Sequence, residues 1–239
     1  MGKQDEAQYF NKIGEQGRHH AANKPFSDDH CGLYFTDMGT LFSLLPKPPA
    51  RILDLGVGTG WTSVFLAQRG YDVTGQDISE DGIALANENK AKAGLGNLNF
   101  IVADYEHLSF SNEFDGAVFY DCLHHSEDTH FALSSVYRAL KPGGCCVTFE
   151  PGTGHAAAEA SVNARKQWGV TEKDMPPKTI LTLAQQIGFR EQDVYVRIFE
   201  PIKLPRRKAI RDHLRAARRF LGWLPTVAYN NSHIVFLRK

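Results

Sequence analysis

The sequence predicts an α/β protein with an open, mostly parallel sheet and helices on both faces. From Arg51 onward, short apolar runs alternate with stretches of helical pattern. The runs are rich in Val, Ile and Phe and do not alternate strictly, which is typical of strands covered on both faces. Strand–helix alternation of this kind forms right-handed βαβ units. The predicted strands are 51–55, 71–75, 98–103, 114–120, 145–150, 193–199 and 232–237.

Capping residues support the helices predicted between these strands. Ser79 is a good N-cap, and glycines fall where the helices should end. Those glycines are Gly70, Gly94, Gly143 and Gly188, and the helices are 61–68, 79–93, 129–140 and 178–187.

Two helices, around 4–14 and 33–45, are expected before the first strand, and the Pro-rich stretch 46–49 marks a boundary after them. We therefore divide the chain into an N-terminal helical cap, 1–49, and a main domain, 50–239. Two segments, 152–177 and 201–231, interrupt the alternation and are expected to shape the acceptor side of a site.

The bulk properties favour a reduced, intracellular protein. The 239 residues carry no net charge, and no apolar stretch is long enough to span a membrane. The N-terminus has charges where a signal peptide would have an apolar core, so the cytoplasm is the expected location. The four cysteines show no C-x-x-C spacing and are expected to be free thiols, which predicts neither a disulfide nor a metal site. They are Cys31, Cys122, Cys145 and Cys146.

A glycine-rich loop follows the first predicted strand. Gly56, Gly58 and Gly60 allow a sharp turn and a close approach of the backbone to a ligand. Asp77 ends the second strand, where a carboxylate can accept hydrogen bonds from ribose hydroxyls. These features suit a nucleotide-containing cofactor in general. Trp61 stands where a dinucleotide motif needs its third glycine, which makes a nicotinamide enzyme a remote alternative.

Five segments in register resemble the motifs of class I S-adenosylmethionine-dependent methyltransferases. ILDLGVGTG is similar to the first motif of that family, and GQDIS to its ribose motif. VADYEHLSF, FDGAVFYDCLHHSED and RALKPGGCCVTFEP resemble the later ones, between residues 51 and 151. The resemblance implies a Rossmann-like fold of seven strands with an antiparallel last strand, an N-terminal helical lid, and S-adenosylmethionine as cofactor.

The resemblance also implies ten cofactor-binding residues, each at a different part of the cofactor. They are Gly56, Gly58 and Gly60 along the methionine portion, Asp54 at its amino-acid end, Asp77 on the ribose hydroxyls, Ile78 and Tyr105 beside the adenine, Asp104 on the adenine amino group, and Tyr120 and Asp121 near the donor methyl. Two of these have simpler alternatives. Asp54 would serve equally as a loop cap, and Asp77 as a helix cap before Ser79.

A histidine pair follows the fourth predicted strand, at the edge where open α/β sheets bind ligands. Imidazole titrates near neutral pH, so His125 or His124 is a candidate base for an acceptor hydroxyl, with Glu150 in support. The alternative is that the histidines only shape the pocket and that Glu150 caps a turn. The N-terminal histidines and aromatic residues between 17 and 35 are expected to form part of the lid, and no metal site is predicted there.

A basic segment, 203–219, carries eight Lys or Arg residues and only one acid, Asp212. It reads as an amphipathic helix extending to Leu221, for which three roles stay open: a solvated or subunit-contacting helix, a contact with anionic lipid, or nucleic-acid binding, which is the least favoured. The predicted function is methylation of a small-molecule or lipid- or sugar-linked acceptor. The alternatives are an RNA or protein methyltransferase and a catalytically silent, partner-binding module.

Overall fold

A seven-stranded mixed sheet forms the centre of the protein in a computed structural model, which describes residues 2–199, Leu214, Ala217 and 230–239. The strand order is β3-β2-β1-β4-β5-β7-β6, and only β7 runs antiparallel to its neighbours. This confirms the fold class predicted from the sequence. The strands are β1 (Arg51–Leu55), β2 (Asp72–Asp77), β3 (Leu98–Val102), β4 (Phe114–Tyr120), β5 (Leu140–Phe149), β6 (Glu191–Tyr195) and β7 (Ile234–Arg238).

Helices cover both faces of this sheet. In the described part of the chain they are α1 (Lys3–Ala7), α2 (Tyr9–Lys12), α3 (Gly14–Ala22), α4 (Cys31–Leu44), α5 (Trp61–Gln68), α6 (Glu80–Ala93), α7 (Thr129–Ala139), α8 (Glu159–Trp168) and α9 (Pro177–Ile187). One core cluster joins α4, α5 and α6 to one face, and a second joins α7 and α9 to the other. None of the helices described is both long and apolar enough to cross a membrane.

The predicted caps are mostly confirmed. Ser79 Oγ accepts the Gly82 N–H at 3.2 Å, and Gly94 and Gly188 end α6 and α9 in the left-handed conformation. The predicted helix end at Gly143 is wrong. The helix α7 ends earlier, at Ala139, and Gly143 lies at the start of β5, where the pairing with β4 shifts register.

The N-terminal region contains more helix than the sequence predicted. The expected helix over 4–14 is divided into α1 and α2, and α3 follows without having been predicted. The helix α4 packs into the same core as the sheet, with Leu41 fully buried. The division of the chain at residue 49 stays a prediction. The basic segment 203–219 lies outside the described residues apart from Leu214 and Ala217.

A buried ion pair attaches α4 to the sheet. Asp37 on α4 is 1% exposed, and the Arg197 guanidinium lies 2.6 Å from its Oδ2. The Tyr120 hydroxyl, at the end of β4, donates to the same carboxylate at 2.7 Å. The predicted strand 193–199 ends early, at Tyr195, and Arg197 turns inward to Asp37 instead of continuing the sheet.

We predict that Arg197→Met lowers the free energy of unfolding by about 3–5 kcal/mol, because it leaves a buried carboxylate without its counter-charge. Arg238→Met is the matched control. Arg238 also lies 2.6 Å from its carboxylate partner, Glu191, but both side chains are largely exposed, so the cost should be about 1 kcal/mol or less. Urea unfolding measures both, and equal losses in the two variants would contradict the prediction.

Candidate active site

The glycine loop after β1 forms one wall of the site. Gly56 and Gly58 adopt positive φ angles of 61° and 52°. A Cβ atom at Gly56 would lie 2.6 Å from Cys122 Cβ, and one at Gly58 would lie 3.1 Å from the Phe10 ring. Only glycine therefore fits both the backbone conformation and the space at these positions. The loop presents bare backbone to the space beside it, as a close-fitting ligand requires.

Two cavities adjoin this loop. The carboxylate cavity, of about 170 Å³, is lined by Asp77, Asp104, Glu106 and Glu6 among others. The aromatic cavity, of about 310 Å³, has Tyr, Trp and Lys side chains in its walls. Gly56, Gly58, Tyr9 and Asp121 line both. The two spaces are therefore neighbouring parts of one site.

Eight of the ten predicted cofactor residues line one or both of these cavities. They are Gly56, Gly58, Asp77, Ile78, Asp104, Tyr105, Tyr120 and Asp121. They come from the ends of β1, β2 and β4 and from the 3₁₀ turn Tyr105–His107 after β3. Carboxyl ends of adjacent parallel strands meet at one edge, which explains how residues far apart in sequence converge.

Asp77 connects two loops as well as lining the carboxylate cavity. Its Oδ2 accepts the Gly58 N–H at 2.7 Å, and its Oδ1 accepts the Ser79 N–H at 2.8 Å. Burial raises the pKa of this carboxyl, although the two backbone donors oppose that shift. Each oxygen retains acceptor capacity toward the cavity. Asp77 thus combines the capping role with a position suited to a ligand hydroxyl.

Asp54 and Gly60 support the loop instead of lining a cavity. Asp54 is 1% exposed and accepts the hydroxyls of Thr62 and Ser63, each at 2.6 Å, in the first turn of α5. Its other oxygen is buried without a hydrogen-bond partner. Desolvation raises its pKa to about 6. A Cβ atom at Gly60 would lie 2.5 Å from the Phe100 ring, so Gly60 provides close packing against β3.

Asp121 follows β4 in a left-handed conformation with φ of 54°. This is uncommon for a residue other than glycine and is often associated with functional sites. Its N–H donates to the Phe149 carbonyl at 2.8 Å, which anchors the turn to β5. Desolvation opposes ionisation, but the charges of neighbouring His124 and Arg197 lower the pKa of Asp121. A carboxylate is therefore held where the two cavities meet.

The histidine pair is divided between two environments. His124 is 2% exposed, and its Nδ1 lies 2.8 Å from Glu150 Oε2. Glu150 also accepts the backbone N–H groups of Cys122, Leu123 and His124, so it caps the 3₁₀ turn Leu123–His125. His125 lines the carboxylate cavity, but its Nδ1 bonds to the Thr171 carbonyl at 2.5 Å. Glu150 therefore supports His124, whereas His125 is the one at the cavity.

The N-terminal helices supply contacts that the sequence did not reveal. Lys3 Nζ lies 2.5 Å from Asp104 Oδ2 and 3.0 Å from Glu106 Oε2. Glu6 Oε1 accepts the Thr171 N–H at 2.5 Å and lies 3.5 Å from His125 Nδ1. These contacts join residues more than 100 positions apart. No local pattern in the sequence could have indicated them.

Within the described part of the chain, one group of side chains has ligand atoms close enough for a metal ion. A ring nitrogen of His124, one of His125 and an oxygen of Glu172 lie within 4.8 Å of one another. These groups already have hydrogen-bond partners, since Glu150 and Thr171 hold the two imidazoles and Glu172 Oε2 lies 2.6 Å from His155 Nε2. The arrangement is complete as a hydrogen-bond network without a cation.

A glycine cradle and a ribose-type carboxylate at the carboxyl edge of this sheet define a Rossmann-like, nucleotide-cofactor-binding α/β protein. Residues 52–144 match the family described as "Methyltransferase domain". This stretch is therefore similar to a methyltransferase domain, which agrees with the S-adenosylmethionine cofactor expected from the sequence. The residues present fit that cofactor, because the left-handed glycines Gly56 and Gly58 and the Asp77 carboxylate line the same cavity.

The chain is similar to several characterised proteins. It is 38% identical over 103 residues to an O-methyltransferase of Pyrenophora dematioidea, covering 42% of this chain and 39% of that protein. It is 36% identical over 109 residues to a demethylmenaquinone methyltransferase of Thermus thermophilus, covering 44% and 49%. The chain thus spans less than half the length of each.

Among solved structures, phosphoethanolamine N-methyltransferase 2 of Haemonchus contortus in complex with S-adenosyl-L-methionine superposes with a TM-score of 0.68. The identity is 23%, over 98% of this chain and 59% of that one. At 23% identity, this similarity shows a shared fold and no more.

We predict that Asp54→Asn changes the pH dependence of stability. Because its native pKa is raised from 3.8 to about 6, the wild type should lose about 2–3 kcal/mol of unfolding free energy as the pH rises from 4 to 7. The Asn variant, which cannot ionise, should not show this loss. Urea unfolding at both pH values tests it, with Asp72→Asn, a 66% exposed side chain, as control. A pH-independent difference between wild type and Asp54→Asn would refute the interpretation.

Proposed function

We propose that the whole chain is an S-adenosylmethionine-dependent methyltransferase acting on a small-molecule acceptor. The observation that carries this proposal is the wall shared by the two cavities, formed by Gly56, Gly58 and Asp121. The carboxylate cavity contains the residues expected on the ribose and adenine, and the aromatic cavity provides a second, less polar space next to it. Donor and acceptor would thereby meet at Asp121.

When bound, the cofactor would supply an electrophilic methyl group for transfer to an acceptor oxygen, and a base of the protein would take the hydroxyl proton. The protein contributes mainly by positioning, because in-line displacement gains most from holding the reactants in a near-attack geometry. The glycine loop and Asp77 would position the methyl donor in the carboxylate cavity. The aromatic side chains of the second cavity would position the acceptor.

Of the two histidines, His125 is the better candidate for that base, because it lines the carboxylate cavity together with Asp121, the residue at which the two cavities meet. A carbonyl only accepts hydrogen bonds, so the contact with Thr171 fixes the proton on Nδ1 and leaves Nε2 to take the acceptor proton. His124 is less suited because Glu150 holds its Nδ1 and Glu172 lies 3.6 Å from its Nε2. We therefore propose Glu150 as a positioning residue for the turn that carries both histidines.

The acceptor of this chain is proposed only as a class. The names of the similar proteins specify methyl transfer to an oxygen atom, to demethylmenaquinone and to the nitrogen of phosphoethanolamine, which are chemically different acceptors. A lipid- or sugar-linked molecule remains an alternative. Phe26 and Phe35, which are 73% and 42% exposed and in contact with each other, are an apolar pair in the N-terminal region that would favour such a molecule. The anionic contact proposed for the basic segment falls outside the described residues.

We predict that Asp77→Ala weakens the binding of S-adenosylmethionine and S-adenosylhomocysteine by about tenfold or more, because a charge-assisted hydrogen bond is lost. Asp72→Ala is the control, since Asp72 lies at the exposed start of the same strand. Isothermal titration calorimetry measures both, with NADH as the comparison ligand. If neither adenosyl ligand binds the wild type, the proposed function fails and a partner-binding module becomes the better explanation.

The protonation of His125 gives a second prediction. Burial alone would lower its pKa, but the carboxylates of Glu6 and Glu172 and the Thr171 carbonyl raise it to about 9. Asp77 and Asp121 also face it from the neighbouring loops. The imidazole is thus protonated at neutral pH in this arrangement and becomes a base only as the pH rises or the contact with Glu6 is released.

We therefore expect Glu6→Gln to lower the titration midpoint of His125 by about one pH unit. Proton NMR of the histidine ring resonances measures this, with His125→Gln used to assign the signal. Glu15→Gln, an exposed carboxylate on α3, is the control and should leave the midpoint in place. An unchanged midpoint in Glu6→Gln would show that Glu6 does not raise the pKa of His125.

A further inference from the structure

Five aromatic side chains line the aromatic cavity: Tyr9, Tyr34, Trp61, Tyr120 and Trp168. They form two groups of edge-to-face or tilted pairs. Trp61 meets Tyr120 at 5.2 Å between ring centroids and Tyr34 at 5.4 Å, while Tyr9 meets Trp168 at 5.6 Å. Such walls favour a flat, apolar ligand, because rings pack well against further rings in stacked or edge-on geometry.

The hydroxyl groups of two of these rings are directed to partners of their own. The Tyr120 hydroxyl donates to Asp37, and the Tyr34 hydroxyl donates to Asp28 at 3.0 Å. Burial, reinforced by those carboxylates, raises the pKa of both phenols, so neither is poised to act as a base. The hydrogen bonds also fix the ring orientations. Tyr34 and Tyr120 therefore serve as rigid walls instead of reacting groups.

Two charged side chains line this cavity, the ammonium of Lys24 and the carboxylate of Asp121. Lys24 lines the cavity, and its ammonium lies 5.5 Å from the centre of the Tyr34 ring, where a cationic ligand would otherwise gain from the aromatic face. A second cation would be repelled by Lys24. A neutral ring that bears a hydroxyl faces no such penalty, and any negative charge developing on its oxygen would be favoured by Lys24. Asp121 offers an acceptor for that hydroxyl before it loses its proton.

Resting on the proposed function, we infer that the acceptor is a planar, hydroxylated aromatic ring bound in the aromatic cavity, and not an amine. Three features on the same cavity carry this inference: aromatic walls, phenols occupied by Asp37 and Asp28, and the ammonium of Lys24. The volume of about 310 Å³ lies within the range of small-molecule pockets and suits one or two fused rings.

The test is calorimetric titration of the full chain with 2-naphthol, catechol and phosphoethanolamine, each with and without saturating S-adenosylhomocysteine. We expect 2-naphthol or catechol to bind and phosphoethanolamine not to bind. Trp61→Leu should weaken binding of 2-naphthol about tenfold or more, while S-adenosylhomocysteine binding stays near the wild-type value, which also shows that the variant is folded. Trp168→Leu is a second variant with the same expectation, from the other aromatic group.

Phe131→Leu is the matched control, because Phe131 is 52% exposed on α7 and lines neither cavity. Binding of phosphoethanolamine without binding of either phenol, or equal losses in Trp61→Leu and Phe131→Leu, overturns the inference while leaving the methyltransferase proposal intact. Failure of the proposed function would give a different result from failure of this inference. If S-adenosylhomocysteine does not bind but 2-naphthol binds in a Trp61-dependent manner, the proposed function fails and the aromatic site stands.

Discussion

The hydrogen bond from the Gly58 N–H to the Asp77 carboxylate connects the two loops on which the site is built. The strands β1 and β2 lie side by side and run parallel, so the loops that follow them emerge at the same edge. Burial of a carboxylate is costly unless hydrogen-bond donors or a counter-charge satisfy it, and for Asp77 the backbone N–H groups of Gly58 and Ser79 are such donors. The left-handed conformation of Gly58 belongs to the same arrangement. The shape of the loop and the position of the carboxylate are therefore set together.

The N-terminal helices interact with the predicted cofactor residues directly. Lys3 pairs with Asp104, Phe10 lies against Gly58, and Glu6 reaches the Thr171 backbone beside His125. In this structure the polar groups expected to meet the cofactor are thus partly satisfied by side chains of the lid. Any ligand that takes those positions must exchange contacts with α1 and α2. The helices α1 and α2 and the predicted cofactor residues are in this way energetically coupled.

The histidine pair shows how neighbouring residues acquire different roles. On the 3₁₀ turn Leu123–His125 the rings of His124 and His125 lie 4.0 Å apart between centroids, but His124 bonds to Glu150 whereas His125 lines the carboxylate cavity. The two carboxylate oxygens of Glu150 accept hydrogen bonds from three backbone N–H groups, and one of them also bonds to a ring nitrogen of His124. The same carboxylate therefore defines the turn and fixes the orientation of His124. His125 is held instead by Glu6 from α1 and by Thr171 from the segment after α8.

The sequence by itself determined the sheet, its helices and the positions of the glycine loop and Asp77, because these depend on local periodicity, on turn conformations that only glycine adopts easily, and on short-range spacing. The tertiary structure decided which way each side chain faces. It placed Asp54 beneath α5, separated Glu150 from His125, and brought Lys3 and Glu6 onto the site. The reason is physical: such contacts join elements distant in the chain, and their geometry is set by packing rather than by local pattern.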